Sequence, residues 1–187
     1  MSLSQDEIQA RVARAREINA GVSAEKVVAA VARLFDLDPV PGVEDEFTYP
    51  ALATTARDRI FGGQVIAQAM FAASRTVETG KQVHSLHAYF LRGGDETKPL
   101  HFRIHRDFDG RSFSNRRVVV RQDGKVIFNL TASFQIPAKG LSHQVPMPDL
   151  LPPEQCWDFT DFIAADPNIS DRHLAHMARR RPFEVRS

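Results

Sequence analysis

The residues of this chain best placed to do chemistry gather at one stretch, Phe61–Ser74, which reads FGGQVIAQAMFAAS and contains no Asp, Glu, Lys or Arg. Gly62 and Gly63 stand where a helix would begin. The first backbone N–H groups of a helix have no intrahelical partner and carry partial positive charge. With no Cβ on either glycine, a carbonyl or phosphate oxygen can approach them closely. If that carbonyl belongs to a thioester, the same groups stabilise the oxyanion as water attacks. Gln64 follows directly and can orient the water or the carbonyl, and Gln68 shares its face one turn on. The glycines have a plainer use as well, a tight turn with close helix–sheet contact, and spacing alone does not separate the two.

Other polar residues give weaker patterns. His84 and His87 are three apart on a strand pattern and face opposite sides; His84 either faces a site or is a hydrogen-bonded sheet residue. His101 and His105 share a face but stand about 13 Å apart at strand rise, too far to hold one ion. His173 and His176 share a helical turn, with no Cys, Asp or Glu motif to complete a metal site, so no metal is expected. In RSFSNRRVVV, Ser112, Ser114 and Arg116 fall on one strand face and Asn115 and Arg117 on the other. Either guanidinium can hold a phosphate bidentately, with a solvated strand edge as the alternative. Asp58 and Asp95 are the carboxylates nearest the helix start, each in a loop, and either serves as a general base only where the fold brings it there. The single cysteine, Cys156, lies in PPEQCW without a nucleophile motif. There is no nucleophile elbow, phosphate-binding loop or dinucleotide fingerprint.

The elements that must position these residues follow from periodicity. Residues 4–20 read as a polar helix and 24–35 as an amphipathic one capped by Ser23 and ended by Pro39 and Pro41. Phe47–Tyr49 reads as a short strand. The apolar helix then runs from about Gly63 to Thr79, with Gly80 just past its end. A helix apolar nearly all round is expected to be buried. From Gln82 the period becomes two: strands at 82–91, about 99–108, 112–122 and 125–136, the last two joined by Asp123–Gly124, a type I′ hairpin signal. The stretch from Pro137 to Gln155 holds five prolines and reads as an extended linker or arm. A last helix is expected to reach about Arg180 and stop at Pro182, with Arg179–Arg181 as a solvated basic run. One apolar helix followed by an antiparallel meander is an α+β pattern.

Composition bounds the function. At 187 residues, with 43% hydrophobic and 25% charged residues, the chain suits one globular domain, or one plus an appendage. A net charge of +1 gives no global field for nucleic acid. No stretch approaches the roughly 18 apolar residues of a membrane span and no signal peptide is read at the N-terminus, so a cytoplasmic protein is expected.

Several motifs together, FGGQVIAQAMFAA, VHSLHAYFLRGGD, DGRSFSNRRVVVRQDGKVIFNLTASFQ and RPFEVRS, resemble the acyl-CoA thioesterase II family, the TesB-like double hot-dog enzymes. The resemblance runs in order from about residue 25 to the end. It implies a hot-dog fold, a long central helix wrapped by an antiparallel sheet, with N-terminal helices and a C-terminal linker and helix. It implies hydrolysis of fatty acyl-CoA to free acid and CoA without metal or cofactor. On this reading residues 1–40 are a helical extension, 41–137 the hot-dog domain, and 138–187 a linker toward a second repeat. In the family an Asp, a Thr and a Gln of that second repeat hold the attacking water, and this chain has room for the first repeat only. What remains is Gly63 and Gln64 as candidate catalytic groups and Gly62, Gly63, Gln64, His84, Arg116 and Arg117 as candidate substrate-binding groups. A lone repeat exposes a sheet edge, so a homodimer or higher oligomer is expected. Three readings stay open: a weakly active N-terminal part, a complete dimeric thioesterase, and a non-catalytic acyl-CoA-binding or oligomerisation module.

Overall fold

The computed structural model describes residues 3–18, 23–51, 59–178 and 184–187. Within residues 33–141 it shows a six-stranded antiparallel sheet with one helix laid across it, the α+β hot-dog arrangement. The strands are β1 (Asp38–Pro39), β2 (Glu46–Tyr49), β3 (Gln82–Phe90), β4 (Leu100–Asp109), β5 (Phe113–Gln122) and β6 (Lys125–Gln135). Their order across the sheet is β1-β2-β4-β5-β6-β3. The helices are α1 (Gln5–Ile18), α2 (Ala24–Arg33), α3 (Gly62–Ser74), α4 (Phe159–Ala164) and α5 (Asp171–Met177). The helix α3 packs against the sheet.

Alternation along each strand fixes register, because a slip of one residue would turn every apolar side chain outward. Phe47, Phe102, Val120, Phe128 and Phe90 stand side by side across β2, β4, β5, β6 and β3. Phe102, Val120 and Phe128 in this row are almost wholly buried. Each such side chain contributes about 1.5–3 kcal/mol of apolar burial. The next row holds Ile104, Val118, Leu130 and Ala88, and the one after it Arg106, Arg116, Ala132 and Leu86. The Asp123–Gly124 turn has positive φ at both residues, 47° and 72°, as a type I′ hairpin requires.

Two expectations for α3 need correction. It ends at Ser74, about a turn before the expected Thr79. The cause is Thr76, whose hydroxyl donates back to Ala73 O and whose carbonyl and hydroxyl accept from Arg116, drawing the backbone out of the helical ladder. Nor is α3 buried all round. Val65, Gln68, Ala69, Ala72 and Ala73 face the sheet, whereas Gly63 and Phe71 are exposed and Met70 is half-buried. The strand β3 lies at the sheet edge, paired only with β6, and leaves Val83, Leu86, Tyr89 and Phe90 largely exposed.

The chain forms two compact units, residues 33–141 and residues 1–32 with 142–187. In the second unit Ile8, Val12 and Ala15, spaced along one side of α1, pack with Ile163, Ala164 and Leu174 of α4 and α5. Arg11 is buried among them and donates to the carbonyls of Ala164, Asp166 and Ile169, with Asp171 as its counter-ion. The final helix ends at Met177. Arg179–Arg181 and Pro182 lie outside the described residues, as does Asp58.

Candidate functional site

The approach to α3 is held by Ile60, whose N–H donates to Gly94 O at 3.0 Å. Phe61 takes the N-cap position with extended backbone, φ −64° and ψ 127°, and supplies no capping side chain. A Ser, Thr or Asp there would bond the first N–H groups itself; phenylalanine has no group that can. Gln64 N and Val65 N both donate to Phe61 O, at 3.0 and 3.4 Å. The N–H groups of Gly62 and Gly63 have no acceptor among the described residues.

The space left by the missing Cβ atoms is not free for a ligand. A Cβ on Gly62 would lie 3.0 Å from the Phe90 ring, and one on Gly63 2.6 Å from the Phe61 ring. The glycines therefore let two aromatic rings lie against the main chain, and a ligand must come from the N–H side.

Two cavities flank this turn. A cleft of about 420 Å³ is lined by Ile60, Val65, Phe90, Leu91, Ile127 and Phe128, with the backbone of Gly62, Gly93 and Gly94 and the exposed Arg59 and Arg92. A Cβ on Gly94 would meet Ile60 Cδ1 at 2.9 Å, so the Ile60 side chain packs directly on this glycine. On the other side of Ile60 a cavity of about 10 Å³ is bounded by Tyr49, Gln64, Glu96, Lys98 and Leu100. Burial, then the nearby Asp36, raises the Tyr49 phenol, so it stays a neutral O–H.

The remaining candidates lie elsewhere. His84 Nε2 is 2.8 Å from Ser133 Oγ, and its ring meets Phe113 edge-on at 6.1 Å. It is a hydrogen-bonded sheet residue six positions from Phe90, about 20 Å at strand rise. Arg116 corrects the expectation of a phosphate clamp. It is 1% exposed, and all five of its N–H donors are committed within the chain. They go to Thr76 Oγ1 and O, Phe108 O, Asn115 O and Asp109 Oδ1 at 2.7–3.1 Å. Arg117, on the opposite face, pairs with Asp107 at 3.1 Å. A wider cleft of about 610 Å³ at that end of α3 includes Lys81, Arg106 and Arg116, and all three are ion-paired. Gln68 is turned inward and donates to Leu34 O at 2.8 Å. Asp95 is half-exposed and occupied by Thr97. The structure thus brings Gly62, Gly63 and Gln64 to one turn and places His84, Arg116 and Arg117 away from it. Glu96, which sequence reasoning did not single out, is buried and lines the smaller cavity. It sits beside Asp95 in the loop between β3 and β4, and nothing in its spacing distinguishes the two.

Residues 50–135 match the model of the acyl-CoA thioesterase N-terminal domain. The chain is 42% identical over 131 residues to acyl-coenzyme A thioesterase 8 of Homo sapiens, covering 68% of this chain and 41% of that protein. It is 39% identical over 133 residues to acyl-CoA thioesterase 2 of Haemophilus influenzae, covering 69% and 46%. Among solved structures it resembles the acyl-CoA thioesterase II TesB2 from Mycobacterium marinum, with 41% identity, a TM-score of 0.61, and coverage of 68% of this chain and 47% of that one. A hot-dog protein from Alicyclobacillus acidocaldarius gives a TM-score of 0.60 at 26% identity. The chain spans about half the length of the relatives it matches. An uncapped helix start on two glycines, within a hot-dog sheet whose sequence matches this model, leads to one assignment: the chain belongs to the acyl-CoA thioesterase II (TesB-like) family, of which residues 50–135 are the N-terminal hot-dog domain.

Proposed function

We propose that the chain acts on fatty acyl-CoA as the N-terminal part of an enzyme that hydrolyses the thioester to free fatty acid and CoA. The observation that carries this reading is the first turn of α3, where the Gly62 and Gly63 N–H groups have no acceptor among the described residues, beside an apolar cleft of about 420 Å³. Such donors suit a carbonyl oxygen on which charge builds as water adds. Walls of Ile60, Val65, Phe90 and Phe128 suit an acyl chain. In this reading Gly62 and Gly63 bind the carbonyl, Gln64 orients the carbonyl or the water, and Arg59 and Arg92 face the anionic CoA. The relatives named above are acyl-CoA thioesterases, which supports the same substrate class.

Residues 41–137 are the domain to which we assign the site, with 1–40 as extension and 138–187 as linker. A second hot-dog sheet, from another copy of the chain, is proposed to pair along β3, where apolar side chains stand exposed at the sheet edge. No described helix is long and apolar enough to cross a membrane. The free thiol of Cys156 suits a reducing, cytoplasmic compartment.

Release of free thiol from medium- and long-chain acyl-CoA by the purified chain tests this reading. Release above the buffer rate supports it. Neither release nor binding of any acyl-CoA overturns it.

A further inference from the structure

In the unit formed by residues 1–32 and 142–187, a cavity of about 300 Å³ is lined by Gln5, Ile8, Gln9, Trp157 and Asp161. None of these residues takes part in the thioester site proposed above. Gln5 and Gln9 are four apart on α1, so both carboxamides lie on one side of that helix. Trp157 has a pinned backbone: its N–H donates to Ser187 O at 3.1 Å and its carbonyl accepts from Ser187 N at 3.0 Å. The residue is 51% exposed. Asp158 starts α4 by accepting from Thr160 N at 2.8 Å, which sets Asp161 in the first turn. Asp161 Oδ1 is buried and has no hydrogen-bond partner among the described residues. Arg16 Nη2 stands 3.6 Å from it, beyond hydrogen-bond reach, and is shared with Asp158 at 3.7 Å. Two carboxylates against one guanidinium leave this side of the cavity negative. The Asp161 side chain is 30% exposed, so the rest of its carboxylate can be reached. A carboxylate short of donors is best relieved by a donor that carries positive charge.

We propose that this cavity binds a primary alkylammonium group, supplied by a free amine or by a lysine side chain. The chemistry of the lining sets the class. An ammonium carries three N–H donors and no acceptor. Asp161 supplies charge and one acceptor, and the side-chain carbonyls of Gln5 and Gln9 supply two more. Ile8 and Trp157 offer apolar surface to the methylene stem, as lysine stems find elsewhere. Tryptophan is also the strongest of the aromatic partners for a cation. A phosphate or carboxylate would meet the charge of Asp158 and Asp161, and a neutral apolar ligand would bring Asp161 no donor. At about 300 Å³ the cavity is at the small end of ligand sites, which suits a cation the size of one side chain. Such an amine is charged at neutral pH, since its pKa lies near about 10.4. The proposal does not depend on the acyl-CoA reading.

Trp157 is the single tryptophan of the chain, so indole fluorescence reports on this cavity alone. The full chain is titrated at constant ionic strength with n-pentylammonium, Nα-acetyl-lysine amide, tetramethylammonium and n-pentanol, and calorimetry repeats each titration. A saturable response to n-pentylammonium or to the capped lysine is expected, and the tighter of the two names the source. Tetramethylammonium has no N–H and n-pentanol has no charge, so each should bind about tenfold more weakly or worse. Asp161→Asn keeps the shape and removes the charge, and should weaken n-pentylammonium about tenfold or more. Gln5→Ala combined with Gln9→Ala should weaken it about threefold or more. Both glutamines are exposed positions of α1 where alanine favours the helix, so this chain keeps its fold even where Asp161→Asn does not, as thermal melting will show. Three results overturn the proposal: no saturable binding of either ammonium by fluorescence and calorimetry, tetramethylammonium or n-pentanol binding as tightly as n-pentylammonium, or an unchanged affinity in either variant that folds.

Discussion

Arg116 grips Thr76 twice, through Nε to the hydroxyl at 2.8 Å and through Nη2 to the carbonyl at 2.9 Å, and so ties the middle of β5 to the end of α3. The remaining donors close on Phe108 O, Asn115 O and Asp109. Removing this side chain leaves the buried Thr76 O without its donor and the half-exposed Asp109 without its counter-ion. Arg116→Ala should therefore cost about 1–3 kcal/mol, read as a lower urea midpoint. Arg116→Lys should recover only part of it, because one ammonium cannot serve five acceptors. An Arg116→Ala midpoint equal to that of the parent would contradict this role.

The β3 edge makes a second prediction. Leu86, 46% exposed, lies on the strand that pairs with β6 alone. Light scattering of the parent chain should give a multiple of 21.0 kDa. Leu86→Lys, which puts a charge on the edge, should shift the mass toward a single chain. A parent that is a clean monomer at all concentrations sinks the proposed assembly.

His105 gives stability a pH dependence whose sign can be worked out. Burial, then Arg117 and Arg103, hold this imidazole below the ordinary value of 6.5, with Asp107 opposing and Arg121 adding a little. Below 6.5 the unfolded chain takes up a proton that the folded chain resists. The contribution is fully present above pH 6.5 and is lost as pH falls toward the folded value. His105→Gln should therefore reduce the fall in urea midpoint between pH 7.5 and 5. Asp45 and Asp109, held below 3.8 chiefly by their hydrogen bonds from Arg106 and Arg116, lose their contribution at lower pH and fall outside that window. An unchanged pH slope in His105→Gln would refute the assignment.

Local signals were readable where one residue type forces one conformation. Asp123–Gly124 is such a case, and the period of two from Gln82 onward gave the strands of the sheet. The start of α3 was readable because two glycines precede a helical pattern. Its end was not, since Thr76 leaves the helix only when Arg116, 40 residues later, reaches it. Arg116 looked like a phosphate clamp because a strand pattern says which side a residue faces and not what covers that side. Glu96 stayed invisible for a related reason. It shares a cavity with Tyr49, Ile60 and Leu100, which come from three separate segments of the chain.

The central claim is that acyl-CoA meets this chain at the first turn of α3. The most direct measurement is a backbone amide NMR titration of the chain with a non-hydrolysable acyl-CoA thioether. The account predicts the largest downfield shifts at the Gly62 and Gly63 amides, whose N–H groups gain an acceptor, with smaller changes at Leu91, Ile127 and Phe128 along the cleft. Saturable shifts confined to other elements, with Gly62 and Gly63 unmoved, would contradict it.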